Sequence, residues 1–278
     1  MLSDKVFEKL EASLRRKVDL VAGSTYNRMI SLEVVDNPLG ASLPGLLTKE
    51  ERRQALARVT QKLDSGKTSL PEPLVECLTT TLENACDAFI EAVGRLVENR
   101  EEICRTLSFD GPYHTIVDVS LAAGDTHNHG RSVMVFHTDA GTLVYKPHDL
   151  RVDDQIYGFV ERFFPDFVGI PRSVAFGRDF GVCEFIEKRR AEGSGEARRF
   201  WYNLGGLTAF AKLFGSTDLH FQNILCHGTV PYLIDLETIL APVDAERAEY
   251  LRLAKTREGQ MRSPALSLLM PQRWRTWR

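Results

Sequence analysis

Thr217-Asp-Leu-His-Phe-Gln-Asn-Ile-Leu225, followed by Tyr232-Leu-Ile-Asp-Leu-Glu237, is the stretch that decides how this chain is read. Asp218 and Asn223 stand five positions apart, and Asp235 follows Asn223 by twelve. Two apolar runs around Gly228 fill the interval, the pattern of a hairpin that would carry Asp235 back beside Asn223. Transfer of a phosphoryl group needs a carboxylate to orient or deprotonate the attacking hydroxyl and oxygen ligands to hold magnesium on the phosphates. Asp218 fits the first role, and Asn223 with Asp235 the second. Alone, D-x-H-x-x-N also arises in ordinary loops, where Asp and Asn serve as turn residues and caps.

The residues upstream weigh against that plainer reading. Leu143-Val-Tyr-Lys-Pro147 ends a predicted strand and directly precedes a predicted helix over about 151–164. In a kinase, a strand-borne lysine at this place holds the α- and β-phosphates and is aligned by an acid on the following helix. Lys146 is that lysine, and Asp153 and Glu161 are both candidates for its acid, which spacing does not separate. His220 stands where a protein kinase has its catalytic-loop lysine, as in small-molecule kinases.

Outward from these motifs the pattern divides in two. From Leu2 to about Leu107 apolar residues recur at three- and four-residue intervals, interrupted over 33–47 by Pro38, Gly40, Pro44 and Gly45, which predicts a helical region. After Gly111-Pro112 the period shortens, predicting strands at Thr115–Leu121, Arg131–His137 and Thr142–Lys146, then at 173–176 and 181–186. Glu187 to Arg199 is charged and glycine-containing and reads as a hinge, with a helix from about Arg198 to Leu213 behind it. The expected fold is therefore α+β, a two-lobed kinase-like fold with an N-terminal helical region at 1–110, a sheet-and-helix lobe at 111–190 and an incomplete C-terminal lobe at 191–278.

Composition narrows the partners. The 278 residues are 43% hydrophobic and 26% charged, enough to bury a full core. With 35 Lys and Arg against 38 Asp and Glu, the net charge of −3 gives no electrostatic basis for nucleic-acid binding. The charged start lacks the apolar core of a signal peptide, and no stretch reaches a membrane span, so a soluble, cytoplasmic protein is expected. Five scattered cysteines without a C-x-x-C pair predict reduced, mostly buried thiols, and Cys226-His227 is not spaced as a zinc site.

Between the first two strands lies Gly124-Asp-Thr-His-Asn-His-Gly130, where a kinase has its glycine-rich phosphate cover. This is no GxGxxG loop; His127, Asn128 and His129 are candidate donors to phosphate oxygens, and a polar hairpin tip is the plainer alternative. Together with Leu143–Pro147, Thr217–Leu225 and Leu233–Thr238, this segment resembles the dehydratase domain of class II lanthipeptide (lantibiotic) synthetases over roughly 110–240. The resemblance implies a lipid-kinase-like fold that phosphorylates Ser and Thr of a leader-bearing precursor peptide with ATP and Mg²⁺, then eliminates the phosphate. It further implies that Lys146 binds nucleotide phosphate, that Asp218 and His220 serve phosphorylation, that Asn223 and Asp235 hold magnesium, and that Asp125 and His127 act at the transfer and elimination site.

The family continues with Arg and Thr groups for elimination and with a zinc-dependent cyclase, whereas 43 residues follow Asp235 here and end in Arg273-Trp-Arg-Thr-Trp-Arg278. The resemblance thus implies a C-terminally truncated dehydratase that keeps the phosphorylation half of the site, with the remaining part of a synthetase as a possible partner. Two other readings stand beside it. One is a small-molecule kinase of the aminoglycoside or choline type, disfavoured by the Gly124–Gly130 segment and the long helical N-terminus; the other is a non-catalytic remnant that binds peptide without turnover.

Overall fold

The computed structural model describes residues 1–34, 47–121, 126–127, 130–216, 219, 223–236 and 239. Helices and mostly antiparallel strands make up an α+β protein that divides into two compact units, one formed by 1–98 with 115–134 and one by 99–114 with the chain from 135 onward.

In the first unit, α1 (Asp4–Leu32), α2 (Lys49–Asp64) and α3 (Glu72–Glu98) realise the predicted helical region, while the predicted breakers at 38–45 lie outside the described residues. The start of α2 is closed by a reciprocal cap: Thr48 Oγ1 accepts from the Glu51 N–H at 3.2 Å and the Glu51 carboxylate accepts from the Thr48 N–H at 2.8 Å. Strand β1 (Ile116–Ser120) belongs to this unit because the chain start binds it. The Ser3 N–H donates to Ile116 O at 3.1 Å, and Lys5 pairs with Asp118 at 2.6 Å. Two short strands, β2 (Thr126–His127) and β3 (Arg131–Ser132), pair antiparallel, and the Arg131 guanidinium anchors them to α3 through two bonds to Glu91, at 2.7 and 3.0 Å.

The second unit holds α4 (Arg100–Thr106), β4 (Met134–Thr138, entered from the first unit), β5 (Thr142–Lys146), α5 (Arg151–Phe163), β6 (Ser173–Phe176), β7 (Phe180–Glu184), α6 (Gly193–Phe214) and a hairpin of β8 (Ile224–His227) and β9 (Val230–Leu233). Strands β4, β5, β7 and β6 lie side by side in that order. Strand β7 pairs antiparallel with both neighbours, placing Lys146 opposite Gly181 and Val144 opposite Cys183. Gly181 is required there: an added Cβ would meet the Leu150 side chain at 2.5 Å.

One apolar core joins the helices to the hairpin. Ile156 and Val160 of α5, Leu207, Phe210 and Ala211 of α6, and Leu219, Leu233, Leu236 and Ile239 are all buried together. The hairpin is also held at both edges. Gly169 donates to Pro231 O at 3.0 Å and accepts from the Leu233 N–H at 2.8 Å along β9, while the Arg189 N–H donates to Cys226 O at 2.9 Å and the Gly228 N–H to Arg189 O at 2.8 Å along β8.

Helix α6 begins at Gly193, five residues before the predicted start. The Glu196 carboxylate accepts from the Glu192 N–H at 2.8 Å and so caps a first turn that Gly193 and Gly195 had marked as loop. The residues read as a hinge thus split into an extended part along β8 and the first turn of a helix.

Candidate functional site

Lys146 is the last residue of β5, where alternation turns its side chain to the same face as Val144 and Cys183. It is 6% exposed, unusual for a lysine unless its charge is met. Two groups meet it. Its Nζ donates to the main-chain carbonyl of Ile234 at 2.6 Å, and Asp153 Oδ1 lies 3.7 Å away. Asp153 sits in the first turn of α5, which follows β5 directly and carries it to the lysine.

Burial pushes the Asp153 carboxyl up to about 6; the Lys146 ammonium opposes this rise, and the neighbouring Asp235 carboxylate adds to it. Asp153, Lys146 and Asp235 therefore share one electrostatic neighbourhood. Cys183 belongs to it as well: burial pushes its thiol up to about 11, again with Lys146 opposing. Glu161 is placed elsewhere. It is exposed near the far end of α5, where its charge acts on Arg172 and Tyr232.

Asn223 and Asp235 stand at the open end of the β8–β9 hairpin. Ile224 pairs with Leu233, and one step further the Ile234 N–H donates to Asn223 O at 3.1 Å. Gly228, at φ +64°, makes the tight turn that returns the chain. Leu233 and Leu236, 0% and 1% exposed, fix the backbone on both sides of Ile234-Asp235. The backbone of Asn223 and the residue pair Ile234-Asp235 are thus brought together at the hairpin end that reaches the buried Lys146 ammonium. Such a set offers hard oxygen ligands for a divalent cation and a cation for phosphate.

The structure brings Lys146, Asp153 and Asp235 into one neighbourhood and ties Asn223 to Ile234 through its backbone. His127 pairs through its backbone with Arg131 in the first unit. Asp125, Asn128, Asp218 and His220 lie outside the described residues. Sequence reasoning missed two members of the neighbourhood. Ile234 takes part through its carbonyl, for which no side-chain signal exists, and Cys183 was legible only as the register partner of Val144. Among the five cysteines none is paired; Cys104 and Cys183 are buried, Cys86 and Cys226 half-buried and Cys77 exposed. His227 Nδ1 lies 2.7 Å from Glu187 O, a structural hydrogen bond. No helix among the described residues is long and apolar enough to cross a membrane.

Comparison with known proteins gives this geometry a context. Residues 73–278 match the family model described as "Domain of unknown function (DUF4135)". The lacticin 481/lactococcin biosynthesis protein LcnDR2 of Lactococcus lactis subsp. lactis is 29% identical over 137 residues, 45% of this chain. The aligned part spans 15% of that relative's own length. With nearly three quarters of its length inside the family model, the chain belongs to the DUF4135 family, the domain found in LanM-type lanthipeptide synthetases.

Proposed function

We propose that this chain binds Mg-ATP and phosphorylates Ser and Thr hydroxyls of a lanthipeptide precursor peptide, the first step of dehydration. The observation that carries the reading is the convergence of a buried strand-end lysine, its helix-borne acid and an Asn–Asp pair on one hairpin. The order of parts supports a kinase-like lobe: a lysine at the end of the second strand of a hairpin pair, a helix after it, and a second strand pair whose last member lies against the lysine strand. The family and the LcnDR2 relative, a biosynthesis protein by its name, support a substrate connected with lanthipeptide biosynthesis.

The residues fit a magnesium nucleotide. Lys146 would take phosphate oxygens and Asn223 with Asp235 would hold the cation, which neutralises charge on the phosphates when bound. Asp153 keeps the ammonium on station. Asp218 orients the attacking hydroxyl and takes its proton as the new O–P bond forms and the bond to the leaving ADP breaks; His220 supports that step from the same loop. By the family resemblance of the Gly124–Gly130 motif, Asp125 and His127 are assigned to the transferred phosphate and Asn128 to nucleotide phosphate. The working compartment in this reading is the cytoplasm, with the leader-bearing precursor and the remaining synthetase polypeptide as partners.

The test is incubation of the full chain with Mg-ATP and a Ser/Thr-rich precursor of the lacticin type, read by mass spectrometry. A gain of one phosphate per modified residue is the expected product. Absence of both phosphate gain and water loss with that precursor would overturn the reading.

A further inference from the structure

Helix α6 turns apolar groups outward as well as inward. Leu207, Phe210 and Ala211 are buried in the core shared with the hairpin. On the opposite side Arg198, Trp201, Tyr202, Gly205, Ala209 and Leu213 are all exposed, and they fall within about 120° of one another around the helix. Trp201, Tyr202 and Leu213 are 68%, 63% and 64% exposed. Nothing stands within 4 Å of where a Gly205 side chain would begin, so a notch separates the two aromatic rings from Leu213. A surface helix ordinarily carries polar groups on this side, and a continuous apolar face marks a contact surface. Charge narrows the partner. From Ala197 to Phe214 the helix holds no acidic residue, in a chain of net charge −3. The acid just before, Glu196, is committed to the Glu192 N–H at 2.8 Å and to Arg189 at 3.5 Å. Arg198 and Arg199 stand exposed at the head of the stripe, the Arg199 guanidinium 5.7 Å from the centre of the Tyr202 ring. The face therefore suits a segment that is apolar on one side and acidic at one end. Its other end points along the chain to the proposed chemistry: α6 stops at Phe214, and Asp218 follows four residues later.

We propose that the outer face of α6 docks the precursor peptide, with acidic residues of the peptide on Arg198 and Arg199 and its apolar side along Trp201, Tyr202 and the Gly205 notch. This rests on the phosphotransfer reading above, whose substrate it holds. From Arg198 to Leu213 the stripe runs about 22 Å, so the anchored segment and the reacting hydroxyl are different parts of the peptide. One docked peptide can then present several Ser and Thr in turn to the loop that follows the helix.

The test is fluorescence anisotropy of a fluorescein-labelled precursor of the lacticin type, titrated with the full chain in the absence of nucleotide. Arg198→Glu/Arg199→Glu should weaken binding by about tenfold or more, and so should replacing the Asp and Glu of the precursor by Asn and Gln. Gly205→Glu enters open space and removes a glycine from a helix interior, so thermal stability should hold or rise while affinity falls by about tenfold. Gly205→Lys fills the same notch with the opposite charge and should lose less. Loss of binding without loss of stability is a signature that a purely structural face does not give. In the phosphotransfer assay these variants should raise the KM for precursor and leave Mg-ATP affinity in place. Absence of wild-type binding, or equal affinity in wild type and all variants, overturns the docking; phosphate gain by mass spectrometry then keeps the phosphotransfer reading. Precursor binding that follows the variants with no phosphate gained sustains the docking and sinks the phosphotransfer reading. A wild-type dimer in light scattering that Gly205→Glu abolishes would give the face to a second copy and overturn the proposal.

Discussion

Asp153 Oδ1 stands 3.7 Å from Lys146 Nζ with both side chains largely removed from water, 13% and 8% exposed. At that distance the pair attracts without a close hydrogen bond, and desolvation of the carboxylate outweighs the attraction, which is why its folded-state pKa rises to about 6 from an ordinary 3.8. A raised carboxyl binds its proton more tightly when folded. Its contribution is full below about pH 4 and is lost as the pH climbs through about 6, up to about 3 kcal/mol for a shift of this size. Urea unfolding of the protein and of Asp153→Asn across this window should show their stability difference changing in that sense. A difference that stays flat from pH 4 to 7 would place the ionised carboxylate in a far better solvated setting.

Lys146→Ala and Asp235→Asn should each weaken Mg-ATP binding by roughly tenfold or more, the loss of at least one charge-assisted contact of about 1.5–3 kcal/mol. Calorimetry on the purified chain reads this directly. Unchanged affinity in both variants would remove the nucleotide from this site. Glu161→Gln is the built-in comparison: the exposed Glu161 lies away from the lysine, and its variant should bind like the parent.

Asp218→Asn should separate binding from chemistry. Loss of a positioned acid–base group lowers a rate by on the order of 10²-fold or more while leaving phosphate and metal contacts alone. Nucleotide affinity should hold and phosphopeptide formation should collapse. If affinity collapses instead, Asp218 joins Asn223 and Asp235 among the residues proposed to hold the metal.

Gly169→Ala should destabilise the second unit by about 1–3 kcal/mol through overpacking, because the added methyl would stand 2.6 Å from the Tyr232 ring. Trimming that ring restores the space. The double variant Gly169→Ala/Tyr232→Ala should therefore be more stable than the sum of the two single losses, a coupling that a denaturation cycle measures. Strict additivity would mean that the backbone of residue 169, and not the ring above it, is what excludes a side chain.

The parts of this molecule that could be read from the chain are those set by local pattern. Strand β5 and helix α5 follow from the change of period around Lys146, and the hairpin from two apolar runs about Gly228. The start of α6 could not, since Gly193 and Gly195 speak for a loop and a carboxylate four residues beyond the cap overrules them. Nor could the choice between Asp153 and Glu161. Eight residues along a helix turn the side chain by only about 80°, so both sit on similar faces and what separates them is which end of α5 is buried against Lys146. The bond from Lys146 to Ile234 leaves no trace in either segment, because a carbonyl is common to every residue. The roles of Asp125, Asn128, Asp218 and His220 rest on motif spacing and family resemblance.

Gly169 on one side of the β8–β9 hairpin and Arg189 on the other carry a consequence for solubility. A two-stranded ribbon normally offers two rows of unsatisfied amides and carbonyls, each a template on which a foreign strand can grow. Here the chain entering β6 covers one row and the chain leaving β7 begins to cover the other, so the same loop pair that frames the sheet also shields the β8–β9 hairpin from intermolecular strand addition.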